Sequence, residues 1–247
     1  MSDGKIWIND NPRVHNMFSD ENNRPVGESH GVSFSDDFRN TNGKDVFLVA
    51  GCSITALCGM TSWSNIGNNW SRLLFNKIKN TDNYNSYINL SISGASIFEI
   101  IMNVFKYLYQ YEKPKVIFLL LPGSGRHTAE ITKTEEGAST LTYHSYYLLH
   151  EFCKINNIEL FASSWDSYIP GINHFFVKKE GGSVNEILNE FDTFYEMDNN
   201  FVSDIAYLNR HLGLVGEDDS HPGSALHIAY FNFFNKVWEE NSDHSRN

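Results

Sequence analysis

The sequence predicts an α/β fold, a doubly wound parallel sheet with helices on both faces (three layers, α/β/α), and three observations carry that expectation. Four apolar runs rich in β-formers recur along the chain: VFLVA (46–50), YINLSI (87–92), KPKVIFLLLP (113–122) and ELFASSW (159–165). Stretches with apolar residues at helical spacing separate them. The third run is apolar on both faces, which places it at the centre of a parallel sheet. Right-handed crossovers between successive parallel strands then distribute the helices above and below, as in flavodoxin-like sheets.

The elements follow in order. Residues 1–44 are rich in Asn, Asp, Gly and Ser with little periodicity, and read as an N-terminal extension packed on the domain or partly disordered. The domain itself is expected over 45–241. NNWSRLLFNKI (68–78) sets Trp70, Leu73, Leu74 and Ile78 on one helical face. A second helix, about 95–112, repeats Ile97, Ile100, Ile101, Val104, Phe105 and Leu108. YHSYYLLHEFCKINNI (143–158) is the third helix. Residues 166–210 are less regular and read as a loop or lid region over the C-terminal edge of the sheet, with aromatics that serve packing or line a substrate wall. The last helix, about 224–240, is expected to bury Ile228, Phe231, Phe234, Val237 and Trp238, before a polar tail at 242–247.

Composition narrows the function classes. The 247 residues suit one large α/β domain. Thirty acidic against 19 basic side chains give a net charge of -11, which disfavours nucleic acid and anionic bilayers. Cys52, Cys58 and Cys153 are odd in number and lack C-x-x-C spacing, so neither a disulfide framework nor a zinc site is expected. HEFCK (150–154) begins like a zincin helix but carries Lys154 in place of the second histidine. The N-terminus shows no apolar leader core, and no run reaches the roughly 18–20 apolar residues of a membrane span. A soluble, non-secreted, cytoplasmic protein is the expectation, with the oligomeric state open.

The chemistry concentrates where VFLVA breaks into GCSIT (51–55). A serine at the C-terminal end of a strand, beside the N–H groups opening the next segment, occupies the place where α/β enzymes keep nucleophiles and anion sites. Such a hydroxyl needs a base, a group orienting that base, and donors for the oxyanion. EDDSHPG (217–223) offers the first two: Asp218 stands three residues before His221, and Pro222 interrupts the helix pattern immediately after. One turn then holds Asp218 against Nδ1 of His221 while Nε2 faces the serine. Asp219 competes with Asp218, though spacing favours Asp218, and Ser53 alone reads more readily as a helix cap. His227 reads as a structural residue of the last helix.

GCSIT, NLSISGAS (89–96) and DDSHPG, in that order on an α/β chain, resemble the SGNH (GDSL-like) hydrolase superfamily over roughly residues 45–240. The resemblance implies a Ser53 nucleophile, a His221 base, an Asp218 orienter, and oxyanion donors in the backbone N–H groups of Ser53 and Gly94. It implies an esterase without metal or organic cofactor, acting on a small acyl ester such as an O-acetylated carbohydrate. The arrangement is also similar to SGNH-like proteins encoded by marine phages and other viruses, which implies action in a host cell.

Two departures stand out. Cys52 takes the place of the Asp that usually precedes the serine, at a side chain that is not a reacting group. After the third strand, PGSGRHT (122–128) replaces the usual Gly-x-Asn-Asp, so Ser124 or Gly125 stands where an asparagine donor is expected. Losing one donor lowers the rate about 10²- to 10³-fold. Arg126 either replaces that donor or binds a substrate carboxylate or phosphate. The competing readings are a degenerate hydrolase whose cleft binds a ligand or partner without turnover, and a phosphate or flavin binder using GCSIT as its cradle.

Overall fold

The computed structural model describes residues 46–56, 68–79, 81–82, 84, 86–111, 113–122, 135–165, 188, 190–197 and 221–242. Among them four strands alternate with four helices: β1 (Val46–Gly51), α1 (Trp70–Ile78), β2 (Ser86–Asn89), α2 (Ile97–Gln110), β3 (Val116–Leu121), α3 (Glu135–Ile155), β4 (Glu159–Ser164) and α4 (Ser224–Ser242). The strands form one parallel sheet in the order β2-β1-β3-β4. From β1 the chain crosses to β2 on one side and returns to β3 on the other. The crevice where these crossovers diverge, beyond the C-terminal ends of β1 and β3, is where sheets of this kind hold ligands.

Aromatic side chains on neighbouring strands hold one face together. Phe47, Phe118 and Phe161 lie side by side across β1, β3 and β4, with ring centroids 5.1 and 5.0 Å apart. Onto them pack Phe75 of α1, 5.6 Å from Phe47, and Phe234 and Trp238 of α4, 5.7 Å from Phe118 and 5.5 Å from Phe161. Offset and tilted ring pairs add to the area term that dominates this core. Helices α2 and α3 pack against each other and against β1 and β4. Phe105 meets Phe152 between them at 5.8 Å. The central strand VIFLLL is buried along its whole length, as its lack of alternation requires.

Local chemistry starts the first two helices. Asn69 caps α1, its Oδ1 accepting from the backbone N–H of Ser71 at 3.0 Å. Ser96 and Glu99 form a reciprocal capping box on α2, satisfying two N–H groups that the first turn leaves without partners.

Three details differ from the sequence reading. Helix α3 begins at Glu135 rather than near 143, because an existing helix elongates through a polar stretch without needing an apolar face. Strand β2 closes at Asn89, although the N–H groups of Leu90 and Ile92 still reach the carbonyls of Val49 and Gly51 at 2.8 and 3.0 Å. On α4, Ile228 is 43% exposed and Phe231 only partly buried, while Leu226, His227, Tyr230, Phe234, Val237 and Trp238 face the core. At 3.6 residues per turn, a face centred on Tyr230 and Phe234 turns Ile228 outward.

Within 166–210 the described residues are 188 and 190–197, and their apolar side chains pack on the domain. Phe194 makes a parallel bridge to Ala162 beside β4. Phe191 and Phe194 pack on Tyr146 at 5.1 and 5.9 Å, and Tyr195 on Phe161 at 5.9 Å. Asp192 accepts from His150 Nε2 at 2.6 Å, tying this segment to α3.

Candidate functional site

At the end of β1 the chain turns within one helical step: the N–H of Ala56 donates to the carbonyl of Cys52 at 2.9 Å, enclosing Ser53, Ile54 and Thr55. Gly51 makes the turn possible by lacking a side chain. A Cβ there would lie 2.4 Å from Thr55 Oγ1 and 2.7 Å from the Leu120 carbonyl of the neighbouring strand. Ser53 is buried, only 2% exposed. Its Oγ points toward Cys52 Sγ in a long 4.0 Å contact.

Thr55 anchors the turn on two sides. Its carbonyl accepts from Asn89 Nδ2 at 2.8 Å, and its Oγ1 accepts from Trp70 Nε1 at 3.3 Å. Cys52 reaches across the sheet, where its sulfur accepts from Trp165 Nε1 at 3.1 Å, just beyond β4. Cys52 is therefore a buried structural acceptor at the position where the resemblance expects Asp.

Gly94 belongs to the loop after β2. The rung between Ile92 N and Gly51 O, 3.0 Å, brings that loop to the same end of the sheet as the Ser53 turn. Gly94 has φ +76, a conformation that favours glycine, and among the described residues nothing lies within 4 Å of the place a Cβ would take. Among the described residues, backbone conformation rather than crowding is what favours glycine here.

His221 is half-buried and immediately precedes the turn into α4, where the Gly223 carbonyl accepts from Leu226 N and His227 N at 3.1 and 3.3 Å. His227 Nδ1 accepts from the backbone N–H of Trp70 at 3.5 Å, so the first turn of α4 docks beside the start of α1. Because Nδ1 accepts, the ring proton resides on Nε2, which has no hydrogen-bond partner among the described residues. Complete burial pushes the His227 pKa down to about 3. A neutral, enclosed imidazole is a structural group and not a rival base to His221. Burial also pushes the Cys153 thiol up to about 12, which leaves it inert as a nucleophile.

Three of the sequence-predicted site residues, Ser53, Gly94 and His221, are thus described. Asp218, Ser124, Gly125 and Arg126 lie outside the described residues, as do Cys58 and Asp219. The sequence reading missed Asn89 and Thr55 as supports of the turn, and took Trp70 for core alone. The signal for Asn89 was a carboxamide closing an otherwise apolar strand, YIN. Among the described residues no group of three or more His, Cys, Asp or Glu can hold a metal ion, and no helix is long and apolar enough to cross a membrane.

No protein-family model matches the chain, and no curated protein sequence matches it significantly. Solved structures do match in fold. The psychrotrophic esterase EstA from Pseudoalteromonas sp. superposes with a TM-score of 0.53 at 18% identity, over 83% of this chain and 100% of that one. The lipase Lip_vut3 from a goat rumen metagenome gives 0.52 at 18% identity, over 77% and 96%. A candidate GDSL-like lipase from Parabacteroides merdae gives 0.50 at 18%, over 78% and 94%. With its parallel sheet, flanking helices and serine turn after the first strand, the chain has the three-layer α/β fold of these esterase and lipase structures.

Proposed function

We propose that the chain is a serine hydrolase of the SGNH type that cleaves a small acyl ester by acyl transfer. Ser53 is the nucleophile, His221 its base and Asp218 the group that orients the imidazole. The observation that carries this reading is the turn itself: a glycine-dependent bend sets Ser53 at the end of β1, next to the Gly94 loop. The fold shared with esterases and lipases supports it.

Ser53 Oγ attacks the ester carbonyl as His221 Nε2 takes its proton, and the carbonyl oxygen gains the negative charge. The N–H groups of Ser53 and Gly94 donate to that oxyanion, fixed dipoles that need no reorganisation as charge develops. Collapse expels the alcohol, protonated by His221, and leaves an acyl-Ser53 ester. Water, deprotonated by His221, then attacks the acyl carbonyl, and the Ser53 Oγ–acyl bond breaks as His221 returns the proton to Oγ and the carboxylic acid leaves. The third donor falls to residues 124–126, where the Arg126 guanidinium offers charge-assisted hydrogen bonds in place of a carboxamide. An O-acetyl group on a carbohydrate is the substrate class the resemblance implies.

The test is p-nitrophenyl acetate hydrolysis with fluorophosphonate labelling read by intact mass. Ser53→Ala is expected to abolish labelling and to lower turnover by on the order of 10⁶-fold. Folded wild type that neither turns over nor labels would instead indicate a cleft that binds without catalysis.

A further inference from the structure

Trp70 does more than fill the core. It is the first residue of α1, so its backbone N–H is one of those a helix leaves without an internal partner. That N–H goes to His227 Nδ1 at 3.5 Å, and the ring stacks on Phe234 of the same helix with centroids 4.7 Å apart and planes at 22°. The indole N–H goes the other way, to Thr55 Oγ1 at 3.3 Å, two residues past Ser53. Trp70 and His227 are both fully buried. Water therefore does not substitute easily for either bond.

We infer that Trp70 is a positioning residue that fixes the Ser53 turn relative to the helix following His221. Ser53 and His221 are 168 positions apart in the numbering and stand on elements that share no strand pairing, so their mutual placement depends on how α1 packs on β1 and on α4. Trp70 is a residue that holds both ends at once: its indole N–H bonds the serine turn, while its backbone N–H and its stacked ring engage the helix. Thr55 gives the bond its direction, because its hydroxyl is held in the space left by Gly51. A nucleophile and its base must be aligned within a fraction of an ångström, and small misplacements slow the chemical step without weakening substrate binding. This inference rests on the Ser53 and His221 reading.

The test compares wild type, Trp70→Phe, Thr55→Val and the double variant. Phenylalanine keeps an aromatic ring against Phe234 and deletes the indole donor, and valine deletes the acceptor at nearly constant volume. The double variant removes both partners, so no buried donor is left unpaired, and it remains foldable if a single variant is not. Each folded variant is expected to lose about 10-fold in kcat with KM within about twofold of wild type. The double variant should lose no more than the larger single effect, because both changes delete one bond. Wild-type kcat in the folded variants, losses that multiply, or a loss carried by KM would each overturn the inference while Ser53 labelling persists. Absence of Ser53-dependent labelling in wild type would overturn the hydrolase reading, and this inference with it.

Discussion

Asn89 holds Thr55 from across the sheet: its Nδ2 donates to the Thr55 carbonyl at 2.8 Å while its Oδ1 accepts from Ser91 N at 3.0 Å. One buried carboxamide thereby joins the serine turn after β1 to the loop that leads to Gly94. Asn89→Ala strands a buried carbonyl and a buried N–H, and is expected to lose about 2–4 kcal/mol in urea denaturation. Asn89→Asp keeps the acceptor for Ser91 but sets a negative charge against the Thr55 carbonyl. It should be at least as damaging at pH 7, and an Asp variant as stable as wild type would dismiss this account.

The two glycines of the site should respond differently to alanine. At Gly51 the new methyl meets backbone and side chain at once, so overpacking of about 3 kcal/mol or more is expected. Thr55→Ala should not rescue it, because the Leu120 carbonyl remains 2.7 Å from the added carbon. Gly94→Ala meets no atom of the described residues and is expected to lose the ease of its positive φ, about 1–2 kcal/mol. Thermal midpoints of the three variants check the ranking.

His227 makes stability depend on pH. Its folded pKa is pushed down to about 3 from an ordinary 6.5, so between those values the unfolded chain binds the additional proton. The stability tied to this group is complete above about pH 6.5 and declines by about 1.4 kcal/mol per unit as pH falls toward 3. Urea midpoints at pH 7 and pH 5 should converge in His227→Gln relative to wild type, by about 2 kcal/mol in free energy. Parallel profiles would show that the imidazole charges without penalty.

Cys52 tests whether the neighbour of Ser53 takes part in the chemistry. Its sulfur is occupied by the Trp165 indole N–H at 3.1 Å and is fully buried. Cys52→Ala is expected to retain fluorophosphonate labelling at Ser53 while losing about 1 kcal/mol of stability for the unpaired indole. Loss of labelling in a folded variant would make Cys52 a functional partner of the serine.

The sequence by itself determined the elements and the chemical groups on offer. Apolar runs such as VIFLLL mark strands because burial on both faces leaves no room for polar alternation, and Ile97 through Leu108 mark a helix by spacing alone. Ser53 after a strand and Asp218 three residues before His221 are likewise local patterns. The strand order, the outward turn of Ile228 and the supports of the serine turn were decided only by the tertiary structure. Trp70 meets Thr55 across 15 residues, Asn89 meets Thr55 across 34, and Trp70 meets His227 across 157. No local pattern encodes these partners, because each arises when parallel strands and the last helix bring distant segments to one end of the sheet. Gly51 shows both levels in one residue: the sequence shows that a glycine ends the strand, and the Leu120 carbonyl beside it shows why no larger residue fits.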